Sequence, residues 1–463
     1  MRRSEAQEER TNKRFSSSLI TILKNIFMPE KIELNILKKI LPGDDILSQC
    51  IHCGMCLTTC PTYDLTKMER SSPRGRIKLI NSVAKGELPV TAIFADEMNF
   101  CLDCQACETA CPAGVQYGIM VETARVLVDE AKIGNAKGRF IKRFILKNIV
   151  ASKRNLKFVA RLLLFYQESG LQATIRRFGI IKLISKKLAA IEKLTPVVFK
   201  TFSDEIITEI YPAKGEKKYK VAFLTGCLMN IMFADINTDT VEVLSAFNCE
   251  VITPKQQVCC GSLNAHNGDI KTAIKLAKKN IDVFAGYEYD YLISNSAGCG
   301  AFMKQYGHFL KDDEQYSEKA KLFSNKVKDV TEFLAENDFD VQLGAVNETI
   351  TYHDACHLAH SQKITTQPRK VLKSIPGIIV KDLNESAWCC GSAGIYNVTR
   401  YDDSMKILDK KMKNIIDSEA KIVVTGNPGC ISQIKNGAEK FNKDIEVLHP
   451  VTLLKRALTW AKA

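Results

Sequence analysis

Cys50, Cys53, Cys56 and Cys60, followed by Pro61, spell C-x2-C-x2-C-x3-C-P. Cys101, Cys104, Cys107 and Cys111, followed by Pro112, repeat the pattern about fifty residues later. A cubane [4Fe–4S] cluster needs four thiolates in tetrahedral arrangement. Three cysteines at spacing three wrap the chain around one cluster, and the fourth reaches across to the other. The expected sets are Cys50, Cys53, Cys56 and Cys111 for one cluster, and Cys101, Cys104, Cys107 and Cys60 for the second. Zinc sites usually pair two ligands from each of two loops. Two complete copies, each with its proline, therefore favour iron and sulfide, and the pattern predicts electron transfer.

The forty residues between Cys60 and Cys101 are too many for a compact ferredoxin of short strands. They contain helix-like segments at 76–85 and 92–100 after the turn Ser72-Pro73-Arg74-Gly75. A mainly helical two-cluster ferredoxin domain is expected over residues 46–130. A lysine-rich helical lead-in, residues 1–45, precedes it, with Phe27, Ile32, Leu34, Ile36, Leu37 and Ile40 able to pack. Within the cluster loops, His52, Asp103 and Glu108 are expected in solvent. Arg74 and Arg76 either face the clusters' negative charge or cap the turn.

Past residue 215 the chain alternates apolar strand-like runs with helices, and an internal repeat emerges. The first copy carries Cys227, the pair Cys259-Cys260-Gly-Ser and Cys299; the second carries Cys356, the pair Cys389-Cys390-Gly-Ser and Cys430. The intervals match: 31 and 32 residues to the pair, then 38 and 39 to the last cysteine. Each copy, 216–345 and 346–463, is expected to form an α/β unit with a largely parallel sheet. Cys227, Cys299, Cys356 and Cys430 are expected at strand ends, where open α/β sheets bind ligands. Two copies facing each other would bring all eight cysteines to one crevice, suited to a third iron–sulfur centre, zinc or redox-active thiols. Cys249 falls outside the pattern and is expected to act as a buried hydrophobe. Met229, Met232 and Phe233 are expected in the core. His353, His357 and His360 surround Cys356; hydrogen bonding is expected of them, with a mixed His/Cys zinc site as the alternative. The fold class is thus multidomain, α followed by duplicated α/β.

The net charge of +13 is concentrated in one stretch. From Ala131 to Ile191 fifteen Lys and Arg face one acid, Glu168, and apolar groups such as Phe140, Phe144, Phe165 and Leu183 are interleaved. A basic helical linker over 131–215 is expected, suited to an anionic membrane surface or an acidic partner. No nucleic-acid-binding signature accompanies the charge. No cleavable signal or spanning apolar run is evident, and free thiolates ready for clusters imply a reducing compartment. The expected location is cytoplasmic, peripheral on the inner face of the cytoplasmic membrane.

Two ferredoxin motifs followed by two Cys-Cys-Gly domains resemble the iron–sulfur subunit of glycolate oxidase. The resemblance is sharpest at Cys50-Ile-His-Cys-Gly-Met-Cys-Leu-Thr-Thr-Cys-Pro-Thr-Tyr63, Ser72-Pro-Arg-Gly-Arg-Ile77 and Cys101-Leu-Asp-Cys-Gln-Ala-Cys-Glu-Thr-Ala-Cys-Pro-Ala-Gly-Val-Gln-Tyr117. It implies a heteromeric enzyme that oxidises glycolate, and often D-lactate. FAD-binding partner subunits would take the hydride equivalent, and this chain would relay electrons to a membrane quinone. The absence of a Gly-x-Gly-x-x-Gly fingerprint agrees with flavin residing only in partners. Related arrangements occur in heterodisulfide or thiol reductases and in the membrane-anchoring iron–sulfur subunits of glycerol-3-phosphate and D-lactate dehydrogenases. Heterodisulfide-type domains end in C-x-x-C, whereas here the positions read Ser296-x-x-Cys299 and Asn427-x-x-Cys430. Each copy therefore lacks one thiolate of that pattern.

Overall fold

A computed structural model describes residues 40–193, 195 and 197–460, so Phe27, Ile32, Leu34, Ile36 and Leu37 of the expected lead-in lie outside the described residues. Up to residue 209 the described elements are all helical. Ser72 opens the helix Pro73–Ala84 by accepting from the Gly75 amide, with Pro73 in the first turn where its missing N–H costs nothing. A side chain at Gly75 would meet the Glu69 carbonyl at 1.9 Å, so the Ser-Pro-Arg-Gly turn requires glycine. Thr91 caps the helix Ala92–Phe100 through the Phe94 amide. These two helices and Tyr117–Glu130 enclose a core of Ile77, Ile80, Met98, Met120 and Leu127.

The basic segment folds as successive helices, among them Ala136–Phe144, Lys153–Glu168, Leu171–Phe178 and Lys186–Lys193. Leu146 is buried, and Leu156 and Ala160 turn inward against Phe202 and Ile231 among others. Phe140, Phe158, Phe165, Phe178, Leu183 and Ile184 remain exposed, the last two at 85% and 74%. The amphipathic pattern is therefore only half satisfied among the described residues.

Two sheets follow. The first comprises β1 (Ile210–Tyr211), β2 (Tyr219–Phe223), β3 (Cys249–Ile252), β4 (Tyr291–Ser294) and β5 (Val327–Asp329), in the order β1-β3-β2-β4-β5. All neighbours are parallel except β1, which runs antiparallel to β3. The second comprises β6 (Thr349–Tyr352), β7 (Ile379–Lys381), β8 (Ile422–Val424) and β9 (Glu446–Leu448), parallel in the order β7-β6-β8-β9. The duplication extends to single hydrogen bonds. Just beyond β2 the Leu224 amide donates to Ile293 of β4, and just beyond β6 the His353 amide donates to Val424 of β8.

The cysteines expected at strand ends lie beyond them. Cys227 precedes the helix Leu228–Met232, Cys299 sits in the first turn of Ala297–Lys304, Cys356 precedes a π-helical turn at His357–Ser361, and Cys430 lies in the first turn of Pro428–Lys440. The apolar runs continue past the last ladder bond, so the sheet ends before the runs do. Each thiol instead meets the amide-rich start of a helix.

The two halves share one core: Val241 and Leu244 of the first cluster with Ile350, Val423, Val451 and Leu454 of the second. The final helix, Pro450–Trp460, returns onto the first half's helix Ala234–Ala246. Thr452 donates to Asp239 at 2.9 Å, and Lys455 pairs with Glu242. The ferredoxin domain lies across both halves. Phe100 and Leu102 pack with Tyr396 and Ile407 of the second, while Lys271 of the first reaches Glu130 at 2.7 Å.

Candidate functional site

The two cluster loops adopt the same backbone path. Residues two and four positions after the first cysteine have positive φ in both: His52 and Gly54 at 56° and 87°, Asp103 and Gln105 at 55° and 59°. Alternation of this kind turns successive amides toward one centre, a concavity suited to anionic groups. The Asp103 amide donates to Cys101 Sγ at 3.3 Å, and Tyr117 Oη donates to the same sulfur at 3.4 Å.

Cys50, Cys53, Cys56 and Cys111 line one small cavity, together with Cys107. Cys60, Cys101, Cys104 and Cys107 line a second. The fourth cysteine of each motif therefore faces the other motif's first three. Burial pushes the Cys56 thiol up to about 11, and Cys104 and Cys107 are also held up chiefly by burial. Such thiols ionise readily only onto a metal centre. Four sulfurs, the crossed set of each motif, converging on each pocket make a donor set that fits a cubane cluster.

Both arginines of the turn serve the loops. Arg74 donates to the His52 carbonyl at 3.0 Å and is braced by Glu69. Arg76, with no exposed surface, lines the second pocket. It donates to Thr62 Oγ1 at 3.0 Å and to the Glu97 carbonyl at 2.8 Å. Burial works against its charge, but Tyr117, Cys101, Cys60 and Glu97 outweigh that and hold it protonated. His52 is exposed as expected. Asp103 and Glu108 are not in solvent: Asp103 is only 2% exposed, and Glu108 accepts from the Gly118 amide at 2.5 Å. The loop curls inward at Asp103 because its carboxylate finds cations there.

Those cations form a cluster that the sequence did not disclose. Arg125 Nη1 lies 3.5 Å from Asp103 Oδ2, while His266 Nδ1 lies 3.2 Å from Asp103 Oδ2 and 2.7 Å from Glu122 Oε1. Burial opposes charge on His266, but the two carboxylates overcome it and raise the imidazole to about 10. His357 donates from Nε2 to the Asp103 carbonyl at 2.9 Å, its ring 4.9 Å from that of His266. The only sequence signal was Glu122 and Arg125 interrupting an otherwise apolar helix face.

This cluster forms one wall of a cavity of about 570 Å³ into which all eight cysteines of the repeated domains open. Neighbouring thiols influence one another in the same order in each half, Cys227–Cys259–Cys260–Cys299 and Cys356–Cys389–Cys390–Cys430, and Cys390 donates to Cys430 at 3.5 Å. Gly261 and Gly391 donate their amides to Cys259 and Cys389, each at 3.4 Å. Bonds from Cys227 and Cys260 draw Cys259 well below its ordinary range, whereas donation to Cys389 and burial hold Cys356 up. The ferredoxin residues Cys101, Leu102 and Asp103 reach the same cavity, and Arg139, Lys142 and Arg400 line it too. Cys249 is fully buried away from it, in the core.

The comparisons with known proteins follow this layout. A 4Fe–4S dicluster domain matches residues 46–115, and the cysteine-rich CCG domain matches 221–304 and 350–435. A Bacillus subtilis protein named "Probable glycolate oxidase iron-sulfur subunit" is 38% identical over 89% of this chain and 94% of its own length. The chain belongs to the glycolate oxidase iron–sulfur subunit family. The Escherichia coli glycolate oxidase iron–sulfur subunit is 29% identical over 90% of the chain and 96% of that protein. Residues 137–195, the basic segment, match the linker region of the glycolate oxidase iron–sulfur subunit. Lactate utilization protein A of Oceanobacillus iheyensis is 30% identical over 51% of this chain and 96% of its own. As a member of the family, the chain is an iron–sulfur electron-transfer subunit of an oxidoreductase.

Proposed function

We propose that this chain serves a flavin-dependent glycolate, or wider 2-hydroxy-acid, dehydrogenase, linking FAD-binding partner subunits to a membrane quinone. The observation that carries the proposal is the crossed arrangement of cysteines around two adjacent pockets. In this reading Cys50, Cys53, Cys56 and Cys111 hold one [4Fe–4S] cluster, and Cys60, Cys101, Cys104 and Cys107 the other. Bound there, the clusters would supply one-electron transfer. The chain's own part is to place the sulfurs around the two pockets, donate hydrogen bonds to Cys101 Sγ from the Asp103 amide and Tyr117, and hold the Arg76 charge beside the second pocket. Oxidation of the hydroxy acid falls to the partner flavin subunits.

The exposed Phe140, Phe158, Phe165, Phe178, Leu183 and Ile184, set among lysines and arginines, support docking on an anionic membrane surface at the inner face. Among the described residues no helix is long and apolar enough to cross a membrane. A second reading, a thiol or disulfide reductase, is favoured by the eight cysteines on one crevice.

Iron and acid-labile sulfide content with electron paramagnetic resonance of the anaerobic, dithionite-reduced chain tests the proposal. About eight irons per chain are expected from two cubanes. Cys53→Ser and Cys104→Ser should each remove quinone reduction while glycolate still reduces the partner flavin. Quinone reduction surviving both changes would reject the relay. Turnover of a disulfide that depends on Cys259 and Cys389 would favour the second reading.

A further inference from the structure

We propose that the second cysteine-rich half holds a mononuclear zinc-class ion on His353 Nε2, Cys390 Sγ and Cys430 Sγ, a site that the first half does not build. The three donor atoms lie within 4.8 Å of one another, and all three residues are buried. The two sulfurs are 3.5 Å apart. Sulfurs bound 2.3 Å from a tetrahedral zinc sit about 3.8 Å apart, so the pair is close to coordination geometry before any ion enters.

The histidine supplies the independent evidence. His353 is 1% exposed, and its Nδ1 faces the Ser386 carbonyl at 3.0 Å. A carbonyl only accepts, so Nδ1 carries the proton and Nε2 keeps its lone pair. No donor among the described residues reaches that Nε2. A buried acceptor without a partner is unusual in a folded protein. Here it lies beside two thiols, and an Nδ1–H bonded to a backbone carbonyl is how a protein fixes a metal-ligating imidazole. The neighbouring histidines differ: His357 donates to Asp103, and both ring nitrogens of His360 are engaged, with Thr109 and Ala387.

Other groups suit thiolates. Asn427 Nδ2 donates to Cys430 Sγ at 3.5 Å. The ammonium of Lys411, with no exposed surface, donates to the Ser386 carbonyl at 3.1 Å, behind His353. Binding would release the two thiol protons, as it does at any thiolate site. Two thiolates and an imidazole select a borderline-soft divalent ion. Cys390 and Cys430 also line the crevice, which leaves a fourth coordination position on that side.

The duplication contains its own control. Leu224 occupies in the first half the place His353 has in the second: each is three residues before its cysteine, and each amide donates to the neighbouring parallel strand. Leu224 is buried, so this backbone position accepts leucine.

The test is metal analysis of the full chain, purified anaerobically, for wild type, His353→Leu and Cys430→Ser, alongside cobalt exchange. Wild type should hold about one zinc per chain and, with Co²⁺, show the thiolate charge-transfer and d–d bands of a tetrahedral site. Both variants should lose at least nine-tenths of the zinc and of the cobalt bands, with iron and acid-labile sulfide unchanged. Circular dichroism establishes folding, and either folded variant alone suffices. Wild type without zinc or cobalt bands, or a folded variant that retains them, would overturn the proposal. So would loss of iron together with sulfide in either variant, since these residues would then hold part of a cluster.

Discussion

His266 clasps the ferredoxin domain to the cysteine-rich halves, and replacing it with glutamine removes the clasp's charge while keeping a hydrogen-bonding side chain. The imidazole sits between Glu122 and Asp103 at 2.7 and 3.2 Å and is held at about 10 against an ordinary 6.5. A folded value above the unfolded one stabilises the structure fully below the unfolded pKa, and the stabilisation is lost as pH rises through the folded pKa. At 1.36 kcal/mol per pH unit the interval corresponds to several kcal/mol at pH 6 and to roughly 1 kcal/mol at pH 9. Breaking a buried ion pair independently costs ~3–5 kcal/mol. Hydrogen exchange of the helix Tyr117–Glu130, which carries Glu122 and Arg125, reports the opening of this interface. In His266→Gln that opening should increase about 10²–10³-fold over wild type at pH 6, and about tenfold at pH 9. An increase below tenfold at pH 6, or an equal ratio at both pH values, would refute the assignment of a protonated imidazole between two carboxylates.

Three further outcomes are expected. Gly391→Ala puts a Cβ 2.6 Å from the Ser404 carbonyl at a backbone φ of 87° and should destabilise the second half by about 1–3 kcal/mol or more, read as a lowered thermal midpoint. Arg76→Met leaves the nearly buried Glu97 carboxylate with only the half-exposed Arg70 as a charged partner. It should cost about 3–5 kcal/mol and lower iron retention during anaerobic gel filtration, with unchanged iron and midpoint counting against the role given to Arg76. Serine at Phe140, Phe158, Phe165 and Phe178 together should weaken binding to anionic vesicles more than tenfold, because burying each phenylalanine contributes about 1.5–3 kcal/mol; unaltered binding would remove this face from the membrane.

Much of this arrangement was legible in the chain. The helix expected at 92–100 has those bounds, and the repeat intervals carried the notion of one crevice, since two facing copies of one unit bring equivalent cysteines together and all eight line a single cavity. Strand ends were harder to see: the apolar run from Val221 continues to Leu224, but the ladder stops at Phe223, since hydrophobicity marks burial and not pairing. Strands β1, β5, β7 and β9, of two or three residues each, are too short for any periodicity to register. The burial of Asp103 left no local pattern because its partners lie far along the chain, Arg125 on a later helix of the same domain and His266 in the first cysteine-rich half.

The return of the last helix onto the first half sets an order of events during synthesis. The helix Ala234–Ala246 leaves the ribosome about two hundred residues before the segment Pro450–Trp460 that covers its flank. At ~5–20 residues per second that is a wait of roughly 10–40 s. Throughout it, Val241 and Leu244 lack the Val451 and Leu454 side chains that complete their cluster. The first half is thus a nascent chain with an open apolar seam, and the seam closes only when the second half is nearly finished.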